Sequence, residues 1–413
     1  MLNTNPAPSS SPTVAGLVQR FWPLYIALFF VGAEMYVVAP LLGNISSDLS
    51  ISIAAAAQLV TAYVIVQAVC GPFIGLLYNK LGPRSMIVTG LLVFTAGNVL
   101  SANVHDYWLV LGSRSIAGLG VAFFGPAAWT WMSHTVEEHL RGRAVANGMA
   151  AFALGQVLGV PIGAFTASFF SWRVVVAGLG VATLFLIPAV WRKVVLHDSF
   201  VAKLTSSSGV SRPNMQWLRV LIIPWQNKTL RLSYTATFFF HAASLGAYTF
   251  LATRLIRDFA LTETLAGMTG ILSGVGTLLG AMIAGQIADK KAHSNQNEIP
   301  STLLVFWTLG AIVAIPLALG APWLWLTVFA VFAWFVFSGA FDSNQQDSVI
   351  RLSGENAASS LSWNTSTLYA ASASGVWIMS IAPENSKFIA TVALVLALLS
   401  AGAALRLRKM VRS

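Results

Sequence analysis

From Trp22 to Leu405 the chain passes through one long apolar run after another, each nearly free of charge. A helix that crosses a bilayer needs about 20 apolar residues. Runs of that length, repeated along the whole chain, leave too little polar surface for a protein dissolved in water. Only 9% of the 413 residues are charged, against about 25% in soluble proteins, so a water-soluble fold is ruled out. A membrane β-barrel would alternate apolar and polar residues over segments of about ten, and no such alternation is present. The pattern predicts an all-α membrane protein with twelve transmembrane helices, at about 22–43, 53–78, 85–104, 107–133, 144–169, 172–191, 229–252, 262–288, 301–319, 322–345, 357–381 and 387–405.

The segments between these runs set the organisation. Residues 1–21 are rich in Ser, Pro and Asn and read as a disordered tail. The apolar run after them is longer than a signal-peptide core and is read as a retained first helix. Residues 192–228 form the one long gap, with six Lys or Arg, the run Ser206 to Ser208, and a Trp217-to-Trp225 segment. The Ser/Gly part reads as a linker, the Trp-flanked part as a short interfacial helix. Six spans at 22–191 and six at 229–405 thus flank a basic linker, and 406–413 forms a basic tail.

Charge gives the orientation. With both termini cytoplasmic, 19 of the 24 Lys and Arg fall on the cytoplasmic side, as the positive-inside rule requires. Outside lie Arg173, Arg254, Arg257 and Lys387, and Arg114 falls within a span. The net charge of +10 therefore follows from one basic membrane face, and nucleic acid is not needed as a partner. The expected location is a cell (inner) membrane, multi-pass. The single cysteine, Cys70, permits no internal disulfide. No spacing of His, Cys and Asp suits a metal, no phosphate-binding loop is present, no nucleophile–base pair is readable, and no cofactor is expected.

The two halves repeat. Gly75, Asn79 and Lys80 after span 2 recur as Gly285, Asp289 and Lys290 after span 8, at an offset of 210 residues. Between spans 4 and 5 stands Arg141-Gly142-Arg143, and between spans 10 and 11 Ser353-Gly354-Glu355, at an offset of 212. Two matches at nearly one offset argue for a duplicated six-helix unit.

Three motifs resemble the major facilitator superfamily. The loop after span 2 is similar to the family signature in Gly75, Lys80, Gly82 and Arg84, with Asn79 where the family has an aspartate. The resemblance implies that the aspartate pairs across the bundles to hold the outward-open state, a charge lost at Asn79 but kept at Asp289. A plain basic turn is the alternative. In span 4, Arg114, Gly118, Gly120 and Ala122 resemble the motif of proton-coupled members. In span 5, Gly155, Gly159, Pro161 and Gly163, followed by Trp172 and Arg173, resemble the motif of twelve-span drug:proton antiporters, in the form of the arabinose-efflux permease-like branch. The proline stands one residue later than in the commoner antiporter pattern. Gly and Pro give a bendable helix able to pack closely and seal one side of a cavity.

Within the spans, an ionisable residue is costly and marks function. Glu34 lies twelve residues past Trp22, about 18 Å from the cytoplasmic side, and Arg114 about 20 Å from it. The resemblance places spans 1 and 4 in one bundle, both lining the cavity, so Glu34 and Arg114 are expected to pair, with Glu34 carrying the proton and Arg114 as its partner. A structural ion pair is the alternative. His241 in span 7 matches the depth of Glu34 and is read as a third proton-coupling residue; a histidine that bonds a neighbour is the alternative. Asp342 is expected near the cytoplasmic end of span 10, solvated. Tyr63, Gln67, Trp334, Asn364 and Tyr369 are the candidate substrate contacts, an aromatic, hydrogen-bonding set. Gly75, Asn79, Lys80, Gly82, Arg84, Gly155, Gly159, Pro161, Gly163 and Asp289 are the candidate gating residues.

Together these point to a secondary active transporter, not an enzyme, in the major facilitator fold of two pseudo-symmetric six-helix bundles. It would export a small molecule (drug, sugar or metabolite) in exchange for protons by alternating access, acting as a monomer in the bilayer. An uptake symporter or facilitator of the same fold, or a membrane-embedded enzyme or sensor on this scaffold, are the rival readings.

Overall fold

The computed structural model describes residues 14–194, 222–292, 299–353 and 357–412, and these contain helices and turns but no strand. Span 1 is Val14–Val37. It starts before the expected boundary at 22, because Leu17 and Phe21 are buried in the bundle. It also ends before 43. Pro40 has no N–H to continue the ladder, and the chain goes on as a tight turn, Ala39–Leu41, and a short helix, Leu42–Asp48. Spans 2 and 3 form one helical stretch, Ile53–Asn103, broken where Gly82 takes φ 75° ahead of Pro83. Only glycine adopts that backbone readily, so the turn between the two spans is set by this residue.

Span 4 is Tyr107–His134, capped by Asp106. Span 5 is Glu138–Leu154, a wide π turn at Gly155–Gly159, and Val160–Phe169. Pro161 cannot bond the Val157 carbonyl, and the widened turn lies where that bond is missing. Span 6 is Trp172–Lys193. Residues 222–226 are helical, and Trp225 packs on Tyr234 and Trp363, with ring centroids 5.3 and 5.2 Å away. Most of the expected linker, with the Ser run and Trp217, lies outside the described residues.

Span 7 is Lys228–Phe259. A short helix, Glu263–Gly267, leads into span 8, Thr269–Ala292. Spans 9 to 12 are Ile299–Gly320, Leu324–Ser353, Ala357–Met379 and Ser386–Arg412. Among the described residues, ten helices are long and apolar enough to cross a membrane, and spans 7 and 11 are not among them. Both are rich in Ser, Thr and other polar groups that the neighbouring helices bury, including Ser233, Thr237, His241, Ser360 and Asn364.

An even number of spans puts both termini at one face, here termed the terminal face; the opposite one is the far face. The C-terminal bundle and the far ends of spans 1, 2, 4 and 6 share one apolar core, while the terminal half of the N-terminal bundle has its own. Tyr369 and Ala373 of span 11 reach into that second core. Near the far face, hydrogen bonds cross the seam between bundles: Asn44 to Glu263 at 2.7 Å, Gln58 to Ser380 at 2.9 Å, and Thr264 to Ser168 at 3.4 Å. There the seam narrows to a cleft of about 20 Å³ that includes Tyr36, Val60, Tyr248 and Val376. The bundles are thus packed together at the far face.

Arginines clamp the far loops of each bundle. Arg173 bonds Asp48 at 2.8–2.9 Å and reaches the carbonyls of Ala102 and Val104, and Trp172 donates to the same carboxylate at 2.9 Å. In the second bundle Arg254 donates to the carbonyls of Ala318 and Ala321, the latter at 2.5 Å.

Candidate functional site

Glu34 of span 1 and Arg114 of span 4 are in direct contact, with side chains 0% and 2% exposed. A guanidinium hydrogen reaches Glu34 Oε1, and the same nitrogen donates to Asn98 Oδ1 at 3.2 Å. The guanidinium lies over the Tyr63 ring, 4.8 Å from its centroid. Helix packing brings these groups together, since Gly118 admits the Tyr63 backbone against span 4. The cluster is only partly satisfied: among the described residues, Glu34 Oε2, Arg114 Nε and the Tyr63 hydroxyl have no hydrogen-bond partner. Buried polar atoms are nearly always paired, so three unpaired ones in one cluster mark a place where a proton or a polar ligand can be taken up.

A second acid–base pair sits in the other bundle. His241 Nε2 lies 2.9 Å from Asp342 Oδ1, with side chains 6% and 34% exposed. Asp342 is therefore not the solvated end residue that the sequence suggested. Span 10 runs on to Ser353, which places Asp342 about 16 Å inside its terminal end. His241 is level with it, about 20 Å from Lys228, and so meets Asp342 rather than the Glu34 pair.

The expected substrate contacts separate. Tyr63 joins the Arg114 cluster. Gln67 is buried and donates to the Tyr63 carbonyl at 3.1 Å, within its own helix. Trp334 does not join them: it is fully buried in the C-terminal bundle, and its indole N–H donates to Ser244 at 2.7 Å. Asn364 belongs to a buried network in which Thr237 donates to it at 2.8 Å and Gln345 donates to the Ser233 carbonyl and hydroxyl at 2.8 Å. Gln345, Ser233 and Thr237 were missed in the sequence; the only signal was the polar run Ser343 to Gln346 beside an apolar span. Tyr369 is half-buried at the seam.

Comparison with known proteins bears on this arrangement. The family model of the Major Facilitator Superfamily matches residues 24–376. The chain belongs to that superfamily. It is a multi-pass membrane transporter of the major facilitator type. It is 24% identical to the uncharacterized MFS-type transporter YbcL of Bacillus subtilis, over 88% of this chain and 89% of that one. It is 26% identical to the chloramphenicol resistance protein of Streptomyces lividans, over 71% and 73%, and 27% identical to the inner membrane transport protein YdhP of Escherichia coli, over 68% and 69%. Among solved structures it is similar to the peptide transporter POT in complex with sulfate (TM-score 0.72, 14% identity, 95% of each chain). It is also similar to a bacterial homologue of the human lysosomal transporter Spinster, inward-facing and unoccupied (TM-score 0.71, 13% identity, 98% of each chain). At these identities the structures show the fold alone.

In this major facilitator chain the glycines of the span-5 motif pack inside the N-terminal bundle. Gly155, Gly159 and Gly163 lie so close to Phe29, Ala33 and Val37 of span 1 that a Cβ on any of them would collide. The other face of span 5 meets the second bundle: Val157 and Val160 fill the positions where Gly274 and Gly270 of span 8 lack side chains, Ala164 does the same at Gly267 of the short helix before it, and Pro161 lies beside Gly270. Gln156 donates to Ser273 at 3.1 Å across this seam. Arg84 turns inward, donating to the Val194 carbonyl at 2.7 Å and lying over Trp191, so it ties span 3 to span 6 within one bundle. The side chains of Gly75, Asn79, Lys80 and Asp289 lie outside the described residues.

Proposed function

We propose that this facilitator exports a small molecule in exchange for protons, with both termini in the cytoplasm and the bundles rocking about a site near the midplane. The observation that carries the reading is the Glu34–Arg114 pair, fully buried yet with Glu34 Oε2 unpaired. A buried carboxylate held by a cation is stable while charged. Once rocking draws the cation away, it becomes a strong proton acceptor, because an unpaired charge in low dielectric is disfavoured. Glu34 is the proton carrier, Arg114 its counter-ion, and Tyr63 holds the guanidinium in place. Tyr369, half-buried at the seam, is the substrate contact that the geometry supports best among the candidates. The basic terminal face supports the orientation, and similarity to a protein named for chloramphenicol resistance supports export.

The test is Glu34→Gln in proteoliposomes. Transport driven by a pH gradient is expected to vanish while the protein still inserts and binds substrate. Undiminished gradient-driven transport would remove Glu34 from the proton path.

A further inference from the structure

We propose that spans 7, 10 and 11 hold a site for a dehydrated sodium ion, made by Ser233, Thr237, Gln345 and Asn364; it stands apart from the Glu34–Arg114 pair and does not depend on the export reading. All of these residues are buried, and Asn364, the most open, is 7% exposed. Counted from the terminal ends of their helices at Lys228, Ser353 and Ala357, they lie about 8–14 Å inside the bundle. They therefore share one level.

The argument for a cation is a surplus of oxygen. The Gln345 amide nitrogen has two hydrogens. It faces the Ser233 carbonyl and hydroxyl at 2.8 Å each, Thr237 Oγ1 at 2.6 Å and Asn364 Oδ1 at 3.5 Å. Thr237 relieves none of this, because it turns its own hydrogen to Asn364 Oδ1 at 2.8 Å or to the Ser233 carbonyl at 3.2 Å. At the other end of the same amide, Gln345 Oε1 is buried and has no partner among the described residues. One turn before Asn364 on span 11, the buried Ser360 hydroxyl also has none among them. Buried polar atoms are nearly always paired, and an exception points to a water or an ion. A water brings only two hydrogens and leaves the surplus in place. A cation draws on every oxygen at once.

Turning the Gln345 amide over brings Oε1 toward the other oxygens. A backbone carbonyl, two hydroxyls and two amide oxygens then surround one point. Neutral oxygens of this kind are ligands for hard cations. None of them is charged, whereas protein sites for divalent ions supply carboxylates, so the cage suits a monovalent ion. Three of the oxygens already stand 2.6–2.8 Å from one centre, a tight arrangement that favours sodium over the larger potassium. The His241–Asp342 pair stands one turn further in on the same faces of spans 7 and 10, and its carboxylate adds negative potential beside the cage.

The test uses the purified full chain in lipid nanodiscs, with sodium, potassium and choline chlorides at matched ionic strength. Sodium alone is expected to raise the melting temperature saturably, by about 2–5 °C. Radioactive sodium should bind and be displaced by unlabelled sodium but not by potassium. Thr237→Val keeps the shape and removes one ligand, so it should weaken sodium binding about tenfold or more. Should that variant not fold, Gln345→Glu decides: a carboxylate in the cage should tighten sodium binding. Glu34→Gln should bind sodium as the wild type does. No sodium binding in the wild type, an equal response to potassium, or unchanged affinity in Thr237→Val or in Gln345→Glu overturns the proposal. So does loss of binding in Glu34→Gln, which would put the ion at the Arg114 pair instead.

Discussion

Arg114 serves several contacts with one planar group: a carboxylate, an amide oxygen and an aromatic face. Lysine carries the same charge but not the plane, so Arg114→Lys should impair transport although charge is conserved. Arg114→Ala strands a buried carboxylate, and breaking such a pair costs about 3–5 kcal/mol. Thermal unfolding of the purified variants checks the pairing. Arg114→Ala and Glu34→Gln should each lower the melting temperature, and the double variant should lose clearly less than their sum. Strict additivity would mean that the two groups do not interact. The meeting of Glu34 with Arg114 was readable in advance because both are rare charges whose depth follows from counting along a helix. The meeting of His241 with Asp342 was not. It depended on where span 10 ends, and the apolar run stops well before the helix does, since Asn344, Gln345 and Ser348 are polar yet buried by neighbouring helices.

At the scale of elements, the seam of span 5 with span 8 joins side chains on one helix to glycines on the other. The span-5 glycines were legible as a close-packing signal, but sequence does not say which helix comes close; they face span 1, while Gly270 and Gly274 of span 8 face the other bundle. Far-face closure was not legible at all, because Asn44, Gln58, Glu263 and Ser380 carry no motif. It can be tested by cross-linking. With Cys70, the one cysteine of the chain, replaced by Ser, the pair Asn44→Cys and Glu263→Cys should form a disulfide on oxidation. Transport should stop and return on reduction, since the bundles could no longer part there. Continued transport in the oxidised protein would show that this contact does not open during the cycle. A second measurement concerns the clamp at Arg173. Arg173→Ala should lower the melting temperature by several degrees, as it removes the partly buried ion pair with Asp48 and the bonds to the far-loop carbonyls.

At the scale of the whole molecule, the helical membrane fold was plain from apolar run length, because the bilayer thickness sets the length of a crossing helix. The ends of spans 1, 10 and 12 were less so, since helices continue past the bilayer where their apolar face finds protein, as Leu17 and Leu407 do. The balance between the two ends of the cycle is open to one substitution. Asn79→Asp adds a charge at position 79, and a surface charge pair is worth about 0–1 kcal/mol. It should shift the population severalfold toward the state open at the far face. Paired spin labels at the terminal ends of spans 4 and 10 would read this, and an unchanged distance distribution would leave Asn79 no part in gating. The shared apolar core at the far face has one more consequence. Parting the bundles there wets hydrophobic surface, and hydration of such surface raises heat capacity. The hydrophobic attraction that keeps that face shut weakens on cooling. The two ends of the transport cycle should therefore differ in heat capacity, so that temperature alone, with no ligand and no proton gradient, tilts the carrier: colder membranes toward the open far face, warmer ones toward the closed.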